Sequence, residues 1–133
     1  VQTVALIIVI ASGLWLVAVS FLMALRPGYA LELFEKMAAS LGASNWRLNL
    51  TEQGLRIVAG AGLIVRSPLS KLPLAFEVAG GCIVISSVLI LVLPIRVHAS
   101  YGHWCLRWLS PLVIRVLSPV PAVVGPGIVW ATF

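Results

Sequence analysis

The residues of this chain able to do chemistry are few and scattered: two histidines (His98, His103), two cysteines (Cys82, Cys105) and four glutamates (Glu32, Glu35, Glu52, Glu77). On one helix, His98 and His103 point about 140° away from each other, so they cannot share a metal ion. Cys82 lies inside an apolar run and Cys105 in an aromatic-rich one. With no Cys-x-x-Cys or zinc spacing, both read as small packed residues rather than ligands or a disulfide. No Ser/His/Asp or Cys/His constellation, phosphate-cradling glycine loop or pair of membrane-embedded carboxylates is found. The expectation is a protein that is not an enzyme, with no metal site and no resident cofactor beyond bound lipid.

Two charged groupings remain as ion-pair or ion sites. Glu77 is the most membrane-embedded carboxylate, and an ionisable residue in a span is a functional candidate by default. It also falls one turn after Pro73, where a helix N-terminus favours negative charge, and within reach of Arg66 or Lys71 across the preceding turn. Glu52 and Arg56 stand four apart, a spacing that fixes the start of a helix or presents a charge to a headgroup or partner. Ala99 and His103 are similar to the Ala-x-x-x-His arrangement by which light-harvesting polypeptides bind bacteriochlorophyll. That resemblance implies a pigment or haem ligand at His103. Set among Arg96, Ser100 and Arg107, His103 reads more plainly as a polar residue at a membrane surface.

The elements that must position these groups are dictated by composition. The 133 residues are 61% hydrophobic and 10% charged, with a mean hydropathy of +1.10. A soluble domain carries roughly 25% charged residues, and a soluble chain this short could not hide so much apolar surface. The net charge of +5 is spread singly along the chain. It forms no basic stripe for nucleic acid and suits topology signals and anionic-lipid anchors instead.

The expected fold is an all-α integral membrane protein, one membrane domain over 1–133, with three to four transmembrane helices and two amphipathic interfacial helices. Spans are expected over about 3–25, 52–66 and 73–93, each bounded by Pro, Gly or a lone cation. The first is too long for a signal-peptide core and has no basic residue before it. A fourth span over 111–132 has enough apolar residues but carries Pro119, Pro121 and Pro126, so a re-entrant or surface-lying tail is the alternative. Thr51 reads as an N-cap after a turn over 42–49. At 29–41 the wheel gathers Glu32, Glu35 and Lys36 on one face, with Glu32 and Lys36 in the i,i+4 order of an ion pair. At 95–110 it sets Arg96, Ser100, His103 and Arg107 against Tyr101, Trp104 and Trp108. Trp46, Arg96, Tyr101, Trp104, Arg107 and Trp108 are the expected interfacial anchors, and Gly60, Gly62, Gly80 and Gly81 the expected helix-packing faces.

Arg26, Lys36, Arg47, Arg96 and Arg107 fall on one side of this plan, and Arg66 and Lys71 on the other. The positive-inside bias then puts the N-terminus outside a bacterial inner membrane. The order span, interfacial helix, span occurs twice, and LRIVAGAGLIV and IRVLSPVPAVVGPGIV share a faint rhythm. A duplication would make the halves parallel repeats about an axis normal to the membrane. Functionally, the expectation is a non-catalytic accessory or assembly subunit of a larger membrane complex, respiratory or photosynthetic complexes being the typical hosts. Its partners would be other membrane subunits and lipid, with no nucleic acid and no soluble substrate. The alternative is a small homo-oligomeric transporter or channel.

Overall fold

A computed structural model describes residues 1–42 and 46–133, the side chains of 38–42, 48, 95, 98 and 99 apart. The chain is helical throughout these residues: α1 (Gln2–Leu25), α2 (Pro27–Gly42), α3 (Trp46–Arg66), α4 (Pro73–Val92), α5 (Ile95–Arg107), α6 (Pro111–Leu117) and α7 (Pro119–Thr132), with a 3-10 turn over Ser67–Leu69. Three stretches are long and apolar enough to cross a membrane: Gln2–Leu25, Pro73–Val92 and Pro111–Thr132. α3 has the length, at about 1.5 Å per residue, but Arg47, Glu52, Arg56 and Arg66 dilute its hydropathy and it is not one of the three.

The breaks have local causes. Pro27 begins α2 immediately after Arg26 leaves helical geometry at φ −135° and ψ 64°, and Pro94, itself extended at φ −55° and ψ 134°, precedes the first residue of α5. α3 starts at Trp46, earlier than the expected 52, and Thr51 is not its N-cap. The Thr51 hydroxyl instead donates to the Arg47 carbonyl at 2.8 Å, the back-bond open to a threonine inside a helix. Residues 43–45 of the expected turn lie outside the described residues. In the proline-rich last segment one freed carbonyl finds a replacement donor. Pro119 has no N–H for the Arg115 carbonyl, and the Ser118 hydroxyl donates to it at 2.7 Å. The Ser118 carbonyl, which has Ala122 and not a proline four residues on, also accepts from the Ser20 hydroxyl at 2.8 Å, tying this segment to α1.

Helices α1, α3, α4 and α7 form the bundle, paired α1 with α7, α3 with α4 and α1 with α3, while α2 and α5 pack on each other. Both main pairs close on glycines. A Cβ built on Gly80 would stand 2.6 Å from the Gly60 carbonyl oxygen, and one on Gly125 would stand 2.6 Å from that of Gly13. Only hydrogen in place of a side chain permits this approach.

These crossings expose an internal equivalence. Gly13, Ser20 and Pro27 recur as Gly80, Ser87 and Pro94, spaced by seven each time, and Gly60-Ala61-Gly62 recurs as Gly125-Pro126-Gly127. The first helix of each half therefore pairs with the last helix of the other half. In the core, Val9 and Phe76 each lie one turn before the glycine of their helix. Leu63, and Ile128 packed against the cluster, each lie three residues after it. The two halves thus share their glycine crossings, although α1 packs on α3 while α4 does not pack comparably on α7. The equivalence also fails at the last glycine of each triplet. Gly62 is crossed by Ile8, whose Cγ2 would lie 2.8 Å from an added Cβ, whereas nothing lies within 4 Å of one on Gly127.

Candidate functional site

Three places in this bundle gather polar groups. The first is the end where α3 turns into α4. Helix α7 finishes there with carbonyls that have no partner within the helix. The Arg66 guanidinium donates to the Thr132 carbonyl at 3.2 Å, the Lys71 N–H to that of Ala131 at 2.8 Å and the Lys71 ammonium to that of Trp130 at 3.4 Å. The same ammonium stands 4.3 Å from the centroid of the Trp130 ring, a cation–π contact. Both cations thus sit at the negative end of a helix dipole. Glu77 does not pair with either of them. Its carboxylate accepts from the buried Ser67 hydroxyl at 3.0 Å, because Arg66 and Lys71 are already engaged on α7.

The second place is a polar level inside the bundle, two turns from the glycine crossings. Seven residues from Gly60 and Gly80 stand Gln53 and Ser87, each 0% exposed; seven from Gly13 and Gly125 stand Ser20 and Ser118, also buried. The Ser20–Ser118 half of this level is bonded. In the other half the Gln53 amide reaches the buried Asn49 only at 3.5 Å, and the Gln53 Oε1 and Ser87 Oγ have no partner. Gln53 and Asn49 stood out in no motif. A polar residue at the heptad spacing of a span glycine was the available signal. Ser86, beside Ser87, is exposed and bonds back to the Ile83 carbonyl.

The third is the α2–α5 pair. Along α5 the Tyr101 and Trp104 rings stack at 6.0 Å, and Trp104 meets Trp108 edge-on at 6.4 Å. All three are exposed, as are Trp46, Arg96 and Arg107. The Cys105 side chain, one turn on, pushes the Tyr101 pKa above its ordinary value, first by hydrogen bonding and second by charge. Across from α5, Glu35 of α2 lines a shallow groove of about 570 Å³ together with His103, Leu106 and Arg107. The sequence places Glu35 and His103 on separate wet faces; that these faces adjoin follows only from the packing of α2 on α5. His103 therefore faces a carboxylate-bearing groove, and the side chain of His98 lies outside the described residues.

The remaining expected residues are placed as follows. Glu52 and Arg56 form an exposed i,i+4 ion pair at 2.9 Å. Glu32 and Lys36 form none, since two exposed long side chains gain little by ordering. Gly60, Gly62 and Gly80 each lie under another helix, and Gly81 faces open space. Cys82 and Cys105 are free thiols. Among the described residues no three metal-binding side chains converge. No protein-family model matches the chain, and comparison with curated proteins and with solved structures finds no match to either.

Proposed function

We propose that this chain is a non-catalytic accessory or assembly subunit of a larger membrane complex, set in a bacterial inner membrane with its N-terminus outside. The carrying observation is the broken equivalence of the two halves. The α1–α3 crossing at Gly62 is filled by Ile8, while Gly127, its counterpart on α7, has an open face. A glycine inside a helix costs about 1 kcal/mol against alanine, and in lipid that cost is recovered when another backbone comes close. A helix of a partner subunit laid against Gly127 would recover it. The two interfacial helices and the exposed aromatic row of α5 suit a subunit anchored along the surface of its host.

Native purification in mild detergent, with mass analysis of companions, tests the reading, and Gly127→Leu sharpens it. The variant is expected to keep the fold, its stability within about 0.5 kcal/mol of the parent as for an unobstructed surface position, and to lose stoichiometric companions. Recovery of the parent alone, as monomer or homo-oligomer, would remove the accessory reading.

The second reading, a small homo-oligomeric transporter, is favoured by one observation: the unpartnered buried oxygens of Gln53 on α3 and Ser87 on α4, two turns from the glycine crossing. Gln53→Leu separates the two. If the level is only structural, relief of the unpartnered Gln53 oxygen and loss of the long 3.5 Å bond to Asn49 offset each other, so stability changes by less than about 1 kcal/mol, with companion recovery unchanged. If the level is a pathway, the same change abolishes flux in reconstituted vesicles.

A further inference from the structure

The groove between α2 and α5 has a composition that neither reading uses. On one side it offers the Glu35 carboxylate and on the other the Arg107 guanidinium and the His103 imidazole, with Leu106 among them. All three polar groups are exposed, and Glu35 makes no ion pair with Arg107 or His103 within 4 Å among the described residues. Opposite charges on facing helices present an anion site and a cation site across one groove. Trp104 and Trp108, the chain neighbours of His103 and Arg107, are exposed on a helix whose aromatic row suits the headgroup layer.

We propose that this groove holds the headgroup of a primary-amine phospholipid, phosphatidylethanolamine. Its phosphate oxygens accept from Arg107 and His103, and its ammonium, two carbons away, donates to Glu35. The guanidinium suits phosphate because it offers paired donors. The carboxylate selects among phospholipids. Phosphatidylcholine carries the same charges but no N–H to donate to Glu35. Phosphatidylglycerol has no cation and leaves Glu35 facing a phosphate. Leu106 lies where the glycerol end of the headgroup meets the apolar layer.

The test is reconstitution of the full chain into bilayers of equimolar phosphatidylethanolamine, phosphatidylcholine and phosphatidylglycerol, followed by native mass analysis of the lipid that stays bound. Phosphatidylethanolamine is expected to be enriched over phosphatidylcholine by about threefold, the effect of one exposed charge-assisted hydrogen bond. Glu35→Gln should erase that preference while total phospholipid stays. Arg107→Gln should lower all three lipids together, and Arg96→Gln, on α5 outside the groove lining, should leave the ratio of phosphatidylethanolamine to phosphatidylcholine unchanged. Equal retention of the first two lipids by the unaltered protein would overturn the proposal without any variant. So would a preference that survives Glu35→Gln. Displacement of bound lipid by millimolar soluble phosphoethanolamine would overturn the lipid assignment and point to the free headgroup compound as ligand.

Discussion

Gly80→Ala is expected to destabilise the bundle by about 3 kcal/mol, the upper part of the range for overpacking a close-packed contact, while Gly81→Ala beside it is expected to be neutral or slightly stabilising. The two substitutions add the same methyl group to adjacent positions of one helix. They differ only in what the methyl meets. At Gly80 it would stand 2.6 Å from the Gly60 carbonyl oxygen and 2.8 Å from Ile64 Cγ1, and at Gly81 it meets nothing within 4 Å. The first of these obstacles is backbone, which cannot rotate away, so α3 and α4 must separate. Separation would loosen the dispersion contacts along the seam. At Gly81 the gain in helix propensity of alanine over glycine, up to about 1 kcal/mol, is unopposed.

The like halves extend this to the other pair. Gly125→Ala meets the Gly13 carbonyl oxygen at 2.6 Å and should cost a similar amount, and Gly127→Ala should behave as Gly81→Ala does. Reversible unfolding in mixed micelles, followed by tryptophan fluorescence, reads all four. Equal effects at Gly80 and Gly81 would mean that the α3–α4 crossing is not the close approach described here.

How much of this was legible beforehand depends on which physical signal each feature carries. α1 and α4 are visible in hydropathy because their lengths match a bilayer and Pro27 and Pro94 bound them. Gly60, Gly62 and Gly80 are visible as small residues in apolar runs. Gly13 and Gly125 carry the same signal more faintly, each beside large or proline neighbours, and their pairing needs the topology that brings α1 against α7. Asn49 and Thr51 mislead about the start of α3 because both favour turns and caps in isolation. Inside the bundle Asn49 is buried and the Thr51 hydroxyl is spent on a carbonyl one turn back. The prolines of the last segment mislead in the opposite sense. The donor missing at Pro119 is replaced by the Ser118 hydroxyl, and the segment is tied to α1 by Ser20, 98 residues distant, which no local pattern reveals. The groove of Glu35, His103 and Arg107 is legible only as two polar faces, since amphipathicity marks a wet side without naming its neighbour.

The second large effect is expected at the end of α7, where Arg66→Met should cost about 2 kcal/mol, the range for a partly buried hydrogen bond from a charged donor. Methionine keeps most of the apolar stem, so the loss isolates the donor to the Thr132 carbonyl, which lies on a residue 0% exposed and has no ready access to water. Part of the cost is offset, because the Arg66 Nε is itself buried without a partner and its removal relieves that penalty. Lys71→Met should cost less than 1 kcal/mol, the weight of an exposed cation–π contact, since the backbone bond from Lys71 to Ala131 survives the change. It should nevertheless shift the emission of Trp130, the ring under the ammonium. The cations hold neighbouring carbonyls of one helix end, Arg66 that of Thr132 and Lys71 that of Trp130, so with both removed the end can fray and the double variant should lose more than the two single losses added. A strictly additive pair would mean that Arg66 and Lys71 act on α7 independently, and that the end of the helix is held chiefly by the Phe76–Ala131 core beneath it.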